Sequence, residues 1–138
     1  MRLILDSNVA LKLVLPEPDV DAAIRLLDGY YSGIHELLAP TVFPVEVAHA
    51  ITRAERQGRV APNDSWRLWQ MVMADCPQLF DTTPLMQRAI EISSAVQIGV
   101  YECLYVALAE PEGCELVAAD VKLINNLPGY PIVSLGSL

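Results

Sequence analysis

Cysteine is scarce in this chain. Cys76, Cys103 and Cys114 form an odd set with no C-x-x-C pair, which argues against a disulfide framework or a zinc site and favours a reducing compartment. Long apolar runs are also missing. Val9-Ala10-Leu11 is broken at once by Lys12, and nothing approaches the ~20 residues that a membrane-spanning helix needs. At the N-terminus, Leu3-Ile4-Leu5 stops at Asp6, too soon for the core of a signal peptide. The expectation is a cytoplasmic protein with no membrane segment. Positive charge is scarce too: 9 basic residues stand against 17 acidic ones, a formal net charge of −8. That argues against a protein that coats nucleic acid through overall basicity or one that binds an anionic membrane surface. No P-loop, G-x-G-x-x-G or G-x-S-x-G motif is present.

The chain has 138 residues, of which 53% are hydrophobic and only 19% charged. This predicts a single domain over residues 1–138 with a substantial core. The low charge content suggests that part of its apolar surface meets a partner. Leu3-Ile4-Leu5 and Leu116-Val117-Ala118-Ala119 read as short strands buried on both faces. Leu37 to Pro40, Leu79-Phe80 and Ile132 to Leu135 read as further strands. Helices are predicted over Asn8–Leu15, Asp19–Leu27 with Gly29 ending it, Thr41 (as N-cap) to Gln57, and from an opening at Pro62-Asn63-Asp64 through Met73. Others run from Thr83-Pro84 through Val96, over Tyr101–Glu110 and over Val121–Leu127. There are no repeats and no linker. Alternating strands and helices predict a three-layer α/β sandwich, with a mainly parallel central sheet flanked by helices.

That architecture bears on four acids. In open parallel sheets, ligands bind beyond the carboxyl ends of the strands. Asp6 and Asp120 each follow directly on an apolar strand. Glu46 and Glu102 lie among apolar neighbours, in Val42–Ala48 and Val100–Ala107. A carboxylate in such surroundings is costly to bury as an anion unless something compensates it. Four converging carboxylates would repel one another, and a divalent cation would relieve that repulsion. All-oxygen ligands suit Mg²⁺ or Mn²⁺. Each acid also has a plainer reading: Asp6 and Asp120 as helix caps, Glu46 as a solvated helix residue, Glu102 as an acid favoured in a first turn.

The blocks Leu5-Asp6-Ser7-Asn8-Val9, Val45-Glu46-Val47, Tyr101–Glu110 and Leu116–Asp120 together resemble those of PIN-domain nucleases in order and spacing. The resemblance spans essentially the whole chain and is nearest to the VapC-like toxins of toxin–antitoxin pairs. It implies a PIN-like fold and a Mg²⁺- or Mn²⁺-dependent endoribonuclease that leaves 5′-phosphate and 3′-hydroxyl ends. Asp6, Glu46, Glu102 and Asp120 would be the catalytic, metal-holding quartet, supported by Ser7 and Asn8. RNA would be the substrate, with a cognate antitoxin protein and a second copy of the chain as partners. Two positions depart from the family pattern. Glu102 stands where aspartate is usual, and Ala118 where threonine or serine is usual. The first moves the carboxylate oxygens by about a bond length; the second removes a hydroxyl that could orient a metal-binding group.

Residues 53–67 carry a net charge of +2. Arg53 lies two helical turns after Glu46 and so can share its face. Arg53 and Arg56 are therefore candidate RNA-binding residues, with a solvated helix end as the competing reading. His49, three residues after Glu46, reads as a polar neighbour of the site rather than a ligand. Trp66, Trp69 and Met73 form an apolar stripe read first as core, with a dimer or antitoxin groove as the competitor. Tyr30-Tyr31 reads as packing. A phosphatase using Asp6 as nucleophile is disfavoured, because Asn8 occupies the position its general acid would need. The remaining alternative is a catalytically impaired PIN-like module that acts only by binding a partner.

Overall fold

The computed structural model describes all residues from Met1 to Leu138. Five strands form one sheet in the order β3-β2-β1-β4-β5, and every neighbouring pair is parallel. The strands are β1 (Arg2–Leu5), β2 (Glu36–Pro40), β3 (Gln78–Phe80), β4 (Glu115–Ala118) and β5 (Ile132–Ser134). Leu3, Ile4 and Leu5 pair with Glu115, Leu116 and Val117 on one side, and Leu3 and Ile4 with Leu37 and Leu38 on the other. The three central strands β2, β1 and β4 are buried apart from their first residues. A parallel sheet covered by crossover helices accounts for their unbroken apolar sequences.

The helices are α1 (Ser7–Leu11), α2 (Val20–Tyr31), α3 (Phe43–Arg56), α4 (Ser65–Met73), α5 (Met86–Val96), α6 (Val100–Glu112) and α7 (Val121–Asn126). Thirty-four buried residues form one hydrophobic cluster. α6 supplies seven consecutive members of it, Cys103–Ala109, as expected of a helix covered nearly all round. No single helix is long and apolar enough to cross a membrane.

Several local readings change. Helix α1 stops at Leu11 instead of Leu15, because the N–H groups of Lys12, Leu13 and Val14 turn to carbonyls three residues back. Tightening of this kind is common where a helix ends. Helix α2 runs past Gly29 to Tyr31. The glycine serves close packing, since a β-carbon there would stand 2.3 Å from Cδ2 of His35. The turn that ends α2 is made by Gly33, at φ 76°, a backbone region that suits glycine. Thr41 does not cap α3; its N–H donates to Phe80 O at 2.9 Å, and Val42 holds the cap position. The cap expected of Thr83 is supplied by Asp81, whose Oδ1 accepts the Thr83 N–H at 3.1 Å. A 3₁₀ turn, Thr83–Leu85, then leads into α5.

The aromatic stripe of α4 is the largest revision. Its buried face is Leu68 and Val72, whereas Trp66 is 67% exposed. Trp66 stacks on Trp69 with ring centroids 5.4 Å apart and planes 14° from parallel. Trp69 in turn donates its indole N–H to Pro44 O on α3 at 3.0 Å. Tyr31 is likewise exposed, and its hydroxyl donates to Asp75.

Candidate active site

Strand β1 is central, and the chain winds to β2 on one side and to β4 on the other. The carboxyl ends of β1 and β4 therefore flank a topological switch point, where open α/β sheets present ligands. Asp6 begins at that edge, its N–H pointing to Val117 O at 3.4 Å. It precedes α1 in the cap position but makes no side-chain cap bond. The residue is buried, 7% exposed, and its Oδ2 has no hydrogen-bond partner. Burial above all pushes the Asp6 carboxyl up to about 7; Glu46, Glu102 and Asp120 add to the rise and the nearby Asn8 N–H opposes it.

Glu46 reaches the same place from the first turn of α3 and is half-buried. Phe43, Val47, Ile51 and Ala54 seat this helix on the core. Burial raises the Glu46 carboxyl, and the charge of Glu102 raises it further. The Tyr105 hydroxyl, His49 and Ser7 pull it down. The Tyr105 O–H donates to Glu46 Oε1 at 2.6 Å. Glu102 comes from the first turn of α6 and is exposed. Glu102 and Tyr105 are three residues apart on one helix face. That spacing was the available signal for Tyr105, which the sequence reading had not singled out as a site residue.

Asp6, Ser7, Asn8, Glu46, Glu102 and Tyr105 share one cleft of about 760 Å³. His49, Arg53 and Arg59 also line it. Arg59 is an addition to the expected set, while Arg56 does not line the cleft. His49 is exposed, beside Glu46 on the same helix, as a neighbouring polar group. Asp120 does not line the cleft. It caps α7, with Oδ1 accepting the Lys122 N–H at 2.9 Å, though its charge is felt at Asp6. The plainer reading thus describes Asp120 as it stands, whereas Asp6 has a free buried oxygen and no cap bond. No three of the acidic, histidine or cysteine side chains close into a ready-made ligand cluster. The buried orphan oxygen of Asp6 and the all-oxygen donor set nonetheless fit a hard divalent cation. The thiols do not compete: Cys103 is buried and raised to about 11, first by burial and then by Glu102.

Tyr105→Phe isolates one of these contacts. It removes a donor to a partly buried carboxylate, worth about 1–3 kcal/mol. Losing that donor leaves the Glu46 carboxyl higher, so ionised Glu46 is harder to hold. The expected result is a larger loss of stability at pH 8 than at pH 5, measured by thermal melts at both. Equal losses at the two pH values would show that the bond to Glu46 contributes little.

A five-stranded parallel sheet flanked by helices, with buried and half-buried carboxylates near its carboxyl edge, is an α/β architecture of the open, doubly wound kind. Within that class, the chain belongs to the PIN-domain family, whose profile matches residues 3–126. It is 26% identical over 132 residues to ribonuclease VapC3 of Pyrobaculum aerophilum, covering 93% of this chain and 96% of that protein. It is 28% identical over 113 residues to ribonuclease VapC9 of Mycobacterium tuberculosis, covering 78% and 87%. Among solved structures, the fold is similar to VapBC2 from Rickettsia felis bound to a promoter DNA fragment. The TM-score is 0.71 at 13% identity, with 97% of this chain and 98% of that one covered. It is similar also to FitAcB from Neisseria gonorrhoeae, with TM-score 0.68, 13% identity and 99% of each chain covered. The expected fold and family are both met.

Proposed function

We propose that this chain is an endoribonuclease toxin of a toxin–antitoxin pair, and that it works with Mg²⁺ or Mn²⁺. The observation that carries the reading is the buried Asp6 carboxylate at the carboxyl edge of a PIN-domain sheet, with an unpartnered oxygen, in one cleft with Glu46 and Glu102, whose charges act on it. Relatives that match 93% and 78% of the chain are named ribonucleases. Asp6, Glu46 and Glu102 would hold the ion, with Asp120 contributing charge from the neighbouring strand. When bound, a divalent cation supplies positive charge to the phosphate under attack and acidifies the attacking water.

The chain's own residues do the rest. Tyr105 fixes Glu46 through its hydroxyl, keeping one carboxylate oxygen in place. Ser7 and Asn8, at the start of α1, present a hydroxyl and an amide to the cleft. Arg53 and Arg59 offer guanidinium groups to RNA phosphates. In the overall hydrolysis, the water oxygen bonds to phosphorus and the P–O3′ bond breaks. The products are a 5′-phosphate and a 3′-hydroxyl, the latter taking up a proton.

Partners fit the surface. An apolar groove of about 270 Å³ lies between α1, α2 and α4, its accessible lining supplied by Leu13, Val14, Leu27 and Met71, and suits the apolar face of an antitoxin segment. Structural neighbours include VapBC complexes, which supports that reading. A homodimer would cover further exposed apolar side chains such as Ile90 and Val121.

The test is a cleavage map. Purified, antitoxin-free protein is incubated with total cellular RNA and Mn²⁺, and new 5′-phosphate ends are sequenced. Discrete cuts that vanish on chelation are expected. An absence of cuts above a no-protein control would favour the partner-binding module instead.

A further inference from the structure

Helix α6 begins with an unusual pairing. Gly99 is its N-cap, with φ −61° and ψ 147°, an ordinary extended conformation open to any residue. The backbone therefore does not require glycine here. What glycine changes is the room left for Glu102: a β-carbon on Gly99 would stand 2.7 Å from Oε2 of Glu102, and that carboxylate carbon lies 3.8 Å away. Those are the only atoms such a carbon would meet. The Glu102 side chain has folded back over the start of its own helix, into space that only a glycine leaves free.

The same carboxylate lines the acidic cleft and acts on both Asp6 and Glu46. Resting on the reading of Glu102 as a metal-holding residue, we propose that Gly99 is a positioning residue, which sets where the Glu102 carboxylate can stand and thereby tunes divalent-cation binding in the cleft. A methyl group at 99 costs the fold little, because the atom it displaces is the free end of a flexible side chain. What it changes is the position of that free end. A shorter acid at 102 holds its oxygens nearer its own backbone and does not reach position 99.

This gives a double-mutant cycle. Gly99→Ala, Glu102→Asp and the double variant are made in the full chain beside Glu102→Gln. Mn²⁺ binding is read by loss of the free-ion electron paramagnetic resonance signal, with thermal melts run in parallel. Any general effect of alanine at a helix N-cap acts in both backgrounds and cancels. Gly99→Ala is expected to weaken Mn²⁺ binding at least tenfold when residue 102 is glutamate and by less than threefold when it is aspartate. Equal effects in the two backgrounds, or none in the glutamate background, would overturn the positioning role while leaving metal binding by the wild type intact. If Glu102→Gln binds Mn²⁺ as tightly as wild type, Glu102 is not a ligand, and both that assignment and the role of Gly99 fall.

Discussion

Asp6→Asn is expected to make the metal-free protein more stable at pH 8 while reducing RNA cleavage by at least about a hundredfold. The two effects have one origin. The Asp6 carboxyl is pushed from 3.8 to about 7 in the fold, so the native state holds this proton more tightly than the unfolded chain does. Its contribution to stability is fully present below about pH 4 and is lost as the pH rises to about 7. Above that, the ionised group sits buried with an unpartnered oxygen. The interval corresponds to a few kcal/mol, on the order of 4. Asparagine has nearly the same shape without the charge, so it does not repel Glu46 and Glu102.

In chelator at pH 8, the variant should therefore melt roughly 5–10 °C above wild type, with the gap closing toward pH 5. Added Mn²⁺ should raise the wild-type melting temperature and leave the variant nearly unmoved, because only the former gains by binding the ion. A variant that melts below wild type at pH 8 would mean that the buried carboxylate is compensated by contacts absent from this structure.

The second large effect is on the core. Phe43→Ala removes a side chain with no solvent exposure at the start of α3, which borders the same apolar hollow as Leu5, Val9, Leu37 and Val72. Truncations of buried aromatic residues cost about 3–5 kcal/mol, from lost burial and the cavity left behind. Trp66→Ala deletes more atoms from a residue that is 67% exposed. Its expected cost is about 1 kcal/mol, mainly the stacking against Trp69. Urea titrations of the two variants should show a large fall in midpoint for the first and a small one for the second, at similar slopes. If the tryptophan variant loses as much as the phenylalanine variant, the exposed face of α4 is covered in solution, and a second copy of the chain becomes the first suspect.

That comparison shows where sequence reading stops. Strands β1 and β4 were legible because burial on both faces leaves an uninterrupted apolar run, and each ends at an aspartate. Helix α6 was legible because it is apolar nearly all round. Helix α4 carries one wide apolar surface: Leu68 and Val72 are buried, Trp69 and Met73 are half-buried against the core, and Trp66 alone of the expected stripe is exposed. Periodicity alone does not say which part of it faces inward. The stripe meets the core through Trp69 and Met73 and leaves it at Trp66.

The acids divide along similar lines. Placing Asp6 and Asp120 at one sheet edge follows from strand ends alone. The cap bond of Asp120 and the orphan oxygen of Asp6 do not follow from the strand ends, because both residues hold extended N-cap backbones and differ only in what their side chains meet. Arg53 and Arg59 share the cleft while Arg56 does not, because α3 ends at Arg56 and Gly58, at φ 78°, turns the chain before Arg59.

The order of strands also governs when the molecule can assemble. β1, formed from some of the earliest residues, lies between β2 and β4, and its second neighbour arrives only with Glu115–Ala118. Until those residues have been synthesised, one edge of the central strand has no partner, and the long-range pairing that completes the sheet is a slow step in folding. The cleft needs α6 as well, at Val100–Glu112. A partly synthesised chain therefore carries Asp6 and Glu46 without the wall that bears Glu102 and Tyr105, and the acidic site is complete only once that wall has been made.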